Sequence, residues 1–99
     1  MRARRFRVTG LRIDGDDVEL RYGDLVVVAH EGSIELDWEC VATAADGHAL
    51  DQGAYHLDVV TLEGRDFAGD AVLVRSVGGT YVLRGAGELR GFDIGELPD

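Results

Sequence analysis

The strongest constraint on this chain is a series of glycine-containing turn pairs set between runs of alternating apolar and polar residues. Gly15-Asp16, Gly23-Asp24 and Glu31-Gly32 each separate two such runs, and Gly78-Gly79 does the same later. A two-residue turn decides which residues of a hairpin lie opposite each other, and opposite residues share a face. The first turn sets Ile13 against Val18, Leu11 against Leu20 and Arg12 against Glu19. The second sets Tyr22 against Leu25, Leu20 against Val27 and Val18 against Ala29. The third sets Ala29 against Ile34, Val27 against Leu36 and Leu25 against Trp38.

All three turns place one apolar set on one face: Leu11, Ile13, Val18, Leu20, Tyr22, Leu25, Val27, Ala29, Ile34, Leu36 and Trp38. A one-residue slip in any strand would turn its whole apolar set outward. The pattern predicts a four-stranded meander with strands near 5–13, 17–22, 25–30 and 33–43. A bulge at Gly10 would bring Phe6 and Val8 inward beside Leu11 and Ile13, with Arg5 and Arg7 outward.

Residues 44–53 (AADGHALDQG) hold turn formers without sustained periodicity and form a loop between two β halves. Further strands are expected near 54–62, 66–76 and 80–85, with a weaker one near 88–93. The Gly78-Gly79 turn sets Ser76 against Tyr81, Val74 against Leu83 and Leu73 against Arg84. Gly69 interrupts its strand and marks a second candidate bulge. The register around Glu63-Gly64-Arg65 stays open by one residue. No window carries a helical stripe, and fourteen dispersed glycines oppose long helices.

The reading is therefore a single all-β domain over residues 1–99, a small antiparallel meander of seven or eight strands. Two architectures fit: a filled barrel and a tight two-sheet sandwich. Aromatic residues make up only 7 % of the chain, too few to line a large cavity and still build a core. The lone cysteine, Cys40, admits no internal disulfide and falls in phase with Leu36 and Trp38, so it belongs to the core. With no long apolar run and no leader pattern, the expectation is a cytoplasmic protein without a membrane partner.

Net charge is −9, but its distribution is uneven. The first twelve residues hold five arginines and no acid, whereas all nineteen acids follow. An acidic body repels nucleic acid at long range, so the arginine-rich start reads as cross-strand pairing with acids rather than as a nucleic-acid arm.

Few patterns point to chemistry. His56 and Asp58 share a strand face, but no third ligand falls at metal-binding spacing, so no metal or other cofactor is expected. Asp14, Asp16 and Asp17 lack the alternation and closing glutamate of a calcium loop. Gly85-Ala86-Gly87-Glu88 lacks the lysine and the strand–helix context of a phosphate loop. Cys40 reads as a core residue, and Ser33 and Ser76 flank turns outside any G-x-S-x-G setting, so no catalytic set can be placed.

The more informative feature is the outer face. Val26 and Val28 lie opposite the core on a strand whose other side carries Leu25, Val27 and Ala29, and Glu19, Arg21, Glu35 and Asp37 surround them. An apolar spot rimmed by charge can form a contact surface. The expected function is non-enzymatic: an acidic protein–protein interaction module that self-associates as a homodimer through Arg21, Val26, Val28, Glu35 and Asp37. In that dimer Arg21 of one copy would meet Glu35 or Asp37 of the other. Two alternatives stand beside it. One is an acidic inhibitor or adaptor that docks on a basic protein through faces such as Glu35, Asp37 and Glu39. The other is a ligand-binding barrel with a pocket lined by Tyr22, Trp38, Tyr55 and Phe67.

Overall fold

The computed structural model describes residues 2–32 and 35–97. Among them are β1 (Arg2–Ile13), β2 (Asp16–Val18), β3 (Leu20–Ala29), β4 (Leu36–Ala44), β5 (Ala54–Thr61), β6 (Asp66–Val77), β7 (Thr80–Gly85) and a 3-10 turn at Ile94–Glu96. All seven strands belong to one antiparallel sheet of order β2-β1-β3-β4-β7-β6-β5, and β5 also pairs with β1. The sheet thus closes into a six-stranded barrel, with β2 as an extra strand on β1. Of the two architectures the sequence allowed, the chain adopts the barrel. No helix among the described residues is long and apolar enough to cross a membrane.

The barrel is two three-stranded meanders, β1–β3–β4 and β5–β6–β7. Residues 45–53 join them by running past the ends of β7 and β6. There the Tyr81 hydroxyl donates to the His48 carbonyl, and the Leu73 amide donates to the Gly53 carbonyl at 2.9 Å. This crossing sets β7 against β4 and β5 against β1, which closes the ring.

The expected inside–outside parity holds over most of the first half, while the pairing does not. The first turn is Asp14-Gly15, with φ of 52° and 84°, the geometry of a type I′ hairpin. It pairs Ile13 with Asp16 and Leu11 with Val18, two residues from the expected register. A shift of two preserves the face, so Leu11 and Ile13 are buried. The β3–β4 pairing shifts by two in the same way: Ala29 lies opposite Leu36, Val27 opposite Trp38 and Leu25 opposite Cys40. Ser33 and Ile34 lie outside the described residues. The bulge in β1 is present between Val8 and Gly10, and Phe6, Val8, Leu11 and Ile13 all point inward.

The second expected turn does not exist. Gly23 and Asp24 lie within the continuous strand β3, and the two strands predicted near 17–22 and 25–30 merge there. Gly23 faces the interior, where a Cβ would come within 2.9 Å of the Val8 Cβ. The glycine is required by close approach of two strands, not by a reversal of the chain. A bulge at Arg21, between Leu20 and Tyr22, changes the phase of β3. Tyr22 therefore points outward, 40 % exposed, with its hydroxyl donating to Asp24 Oδ2 at 2.5 Å.

In the second half Ser76 faces Tyr81 as expected, and Gly78-Gly79 carry positive φ values of 60° and 82°. A bulge at Val74 then shifts the register, so Leu73 meets Leu83 rather than Arg84, and Val74 turns outward. Gly69 is no bulge: it pairs regularly with Leu57, and a Cβ there would strike Trp38 and the Glu88 carbonyl. The weak strand expected near 88–93 reduces to one bridge between Arg90 and Ala68.

Side chains from every barrel strand fill the interior, among them Phe6, Leu25, Leu57, Phe67, Leu73 and Leu83. One end is closed by Trp38. Its indole lies over Gly85 and Gly69, and its Nε1–H donates to the Gly87 carbonyl at 2.9 Å. The chain after β7 then folds over this end. Leu89 and Leu97 are buried, and Phe92 packs edge-on against Phe6 and Phe67. Arg65 ties the segment down by pairing with both oxygens of Glu96 while its guanidinium stacks on Phe67.

Candidate functional site

With the interior occupied, the places where this barrel can meet another molecule lie on its outside and at its ends. The outer face of β3 is set by alternation: Leu25, Val27 and Ala29 go inward, so Val26 and Val28 go outward. Both are half-buried, held between β1 on one side and β4 on the other.

Register gives each valine named neighbours. At the level of Val26 one row runs across four strands: Arg5 on β1, Val26 on β3, Glu39 on β4 and Arg84 on β7. The next row is Ala3, Val28 and Asp37. A third runs through Arg7, Asp24, Val41 and Val82. Between the first two rows lies an open groove of about 490 Å³, lined by Val26, Val28, His30, Asp37, Glu39 and Arg84. His30 Nε2 is 2.9 Å from Asp37 Oδ2, and Arg84 reaches Glu39 at 3.7 Å. The Arg5 side chain is exposed on this face, and its charge acts on the Tyr22 hydroxyl. Further exposed valines lie on β6, where Val72 faces Arg84 and Val74 sits in the bulge, while Arg75 faces Val82.

Of the residues singled out by sequence, Val26, Val28 and Asp37 come together in this groove. Arg21 does not: it lies in the β3 bulge beside Arg7, Tyr22 and Leu62, roughly 16 Å along the strand from Val26. Glu35 lines a neighbouring groove with Leu36, Gly87 and Phe92 at the closed end of the barrel. Arg84 in the groove and Arg5 on the β1 side of Val26 were missed, and Glu39 was named only for the acidic docking face. Their signal was their outward parity, but placing them beside Val26 requires knowing that β1 and β7 flank this part of the sheet.

The four residues of the alternative ligand pocket do not share a cavity. Tyr22 is on the outside, Trp38 and Phe67 are in the core, and Tyr55 lies at the opposite barrel end. Tyr55 lines a recess of about 280 Å³ there, with Leu50 and Tyr81 on its floor and carboxylates of the first hairpin on its rim.

His56 sits between two carboxylates, with Nδ1 2.9 Å from Asp70 Oδ1 and Nε2 3.6 Å from Asp58 Oδ1. Its amide donates to Asp14 Oδ1 at 2.7 Å, tying β5 to the first turn. Among the described residues no three His, Cys, Asp or Glu side chains converge in metal-binding geometry. Cys40 is fully buried, and its thiol is pushed up to about 12 by burial first, with the charges of Asp24 and Glu39 adding to it. At neutral pH it is a thiol among apolar neighbours and no nucleophile.

Comparison with family models, curated proteins and solved structures finds no match for this chain.

Proposed function

We propose that this chain is a non-enzymatic, cytoplasmic interaction module that self-associates as a homodimer through the outer face of β3 and β4. The observation that supports this reading is the pair of half-buried valines, Val26 and Val28, centred on a face that carries charges of both signs. Among the described residues the barrel interior is occupied by buried side chains, which leaves the outside as the natural place of contact. A face of mixed sign can be complementary to its own copy even on a protein of net charge −9. The molecule measures 39 × 26 × 21 Å, so its broad side is large enough to supply the ~800 Å² per partner of a specific interface.

The test is the oligomeric state of the Val28→Asp variant. Light scattering coupled to size-exclusion chromatography should give a dimer for the parent at tens of micromolar and a monomer for the variant. Unaltered folding is checked by circular dichroism. A monomeric parent, or a variant that still dimerises, refutes the reading.

A second reading, docking on a basic protein, is favoured by the recess around Tyr55. Asp14, Asp16, Asp17, Glu19 and Asp46 all line it. It predicts binding to arginine-rich peptides that weakens steeply with salt, since such attraction acts over about one Debye length. Salt-insensitive binding, or none, removes it. Neither reading involves nucleic acid or a membrane.

A further inference from the structure

The geometry points to a specific arrangement of that dimer: a two-fold axis lying in the interface and running along β3, which stacks Val26 and Val28 on their own copies and seats Arg5 against the partner subunit's Glu39. This inference rests on the homodimer reading above and adds the orientation of the two copies.

The argument starts from the row Arg5–Val26–Glu39, which crosses β1, β3 and β4 at one level. Neighbouring strands are about 4.8 Å apart, so the arginine and the glutamate flank the valine at nearly equal distances. An axis along β3 exchanges the two flanks. β1 of each copy then lies over β4 of the other, and two Arg5–Glu39 pairs form, one on each side of the stacked valines. The next row behaves consistently: Ala3, a small residue, lies over the partner subunit's Asp37. In the third row Arg7 lies over the partner subunit's Val41, while Asp24, on the axis itself, faces its own copy with its carboxylate held by Arg7 at 3.8 Å and by the Tyr22 hydroxyl.

An axis across the strands through the same row gives the opposite result. Arg5 would face its own copy, and so would Glu39. Like charges held together in a partly desolvated contact oppose association, so the two like pairs of the crosswise axis weigh against it more than the single Asp24 contact weighs against the axis along β3. Arg5 is available for the role because its side chain is exposed and is felt only as a charge acting on the Tyr22 hydroxyl. Glu39 is engaged only at 3.7 Å by Arg84.

Paired charge reversal tests the orientation. Arg5→Glu alone puts two glutamates at each flank, and Glu39→Arg alone puts two arginines there. Each variant should self-associate at least about tenfold more weakly than the parent. Mixed one to one, the two variants restore opposite charges at both flanks. They should form a heterodimer with a Kd within about threefold of the parent dimer, read by native mass spectrometry and sedimentation velocity. The double variant Arg5→Glu/Glu39→Arg should dimerise with itself equally well. Should Glu39→Arg disturb folding through Arg84, the next row supplies an independent pair, Ala3→Glu with Asp37→Arg.

Weakening without rescue on mixing overturns this orientation. If Val28→Asp still abolishes the parent dimer in that case, the contact face itself stands. Variants that dimerise as tightly as the parent also overturn the orientation. A parent that is monomeric overturns both readings.

Discussion

Gly85→Ala is the sharpest probe of how the barrel end is closed. In an extended strand this change would ordinarily stabilise by ~0.4–1 kcal/mol, because alanine loses less backbone entropy on folding. Here the added Cβ would come within 2.3 Å of Trp38 Cε2 and Nε1 and 2.6 Å of Cδ1. The indole cannot yield sideways, because Gly69 on β6 already accepts its other ring edge and the Nε1–H is bonded to the Gly87 carbonyl. Relieving the clash means overpacking, at about 1–3 kcal/mol. It also means stretching a buried indole hydrogen bond, whose loss costs about 1–3 kcal/mol. Set against the entropic gain, the net expectation is a loss of about 1–5 kcal/mol. Urea denaturation followed by circular dichroism measures it from the shift in midpoint at constant slope. Fluorescence of Trp38, the only tryptophan in the chain, reports whether the indole has moved toward solvent. Trp38→Leu supplies the control: in its background Gly85→Ala should cost at least ~1 kcal/mol less than in the parent. A Gly85→Ala protein as stable as the parent, or more stable, would mean that the indole does not lie over β7.

Glu96 should show a pH signature. Its carboxyl is held down to about 2, by the Arg65 hydrogen bonds first and the Asp93 amide second. A carboxyl depressed in the folded state contributes stability above its unfolded value near 4.5, and that contribution is lost as pH falls toward 2. The thermal midpoints of the parent and Glu96→Gln should therefore differ at pH 7 and converge across that window; a constant difference from pH 7 to 2 contradicts the latch. Cys40 should resist disulfide reagents in the folded protein and react only at the rate of unfolding, since the thiol is buried and pushed up to about 12. Rapid native labelling would place it elsewhere. Gly23→Ala should lower stability by about 1–3 kcal/mol through its clash with Val8, whereas a stabilised variant would show that the two strands do not approach closely.

Parity was legible in the sequence because it depends only on neighbours along the strand. Leu25, Val27 and Ala29 alternate with Val26 and Val28, and no pleated strand can bury both sets equally against one core. Offsets of two residues, as at Asp14-Gly15 and between β3 and β4, leave that alternation intact. What was not legible is why each glycine is there. Gly15 needs positive φ, while Gly23, Gly69 and Gly85 are needed because another part of the barrel comes too close for a Cβ. The crowding atoms belong to Val8, Trp38 and Glu88, far away along the chain. They arrive only once the sheet closes, so a local pattern cannot separate a turn glycine from a contact glycine.

That single ambiguity at Gly23 decided how much of the proposed contact face could be read. A turn there puts a short hairpin strand beside Val26 and makes Arg21 its neighbouring cation. Without the turn β3 runs on, and the neighbour becomes β1, which brings Arg5 to the position level with Val26. Glu39 then holds the opposite flank through the β4 register. The valines stay the same under either topology, but the charges around them do not. Orientation between two copies depends on those flanking charges, because they act within about a Debye length of ~8 Å while the remaining charge of the barrel is screened. In the proposed dimer the charges nearest the valines are of both signs, Arg5 and Arg7 beside Asp24, Asp37 and Glu39, so the touching faces are far closer to neutral than the −9 of the whole chain.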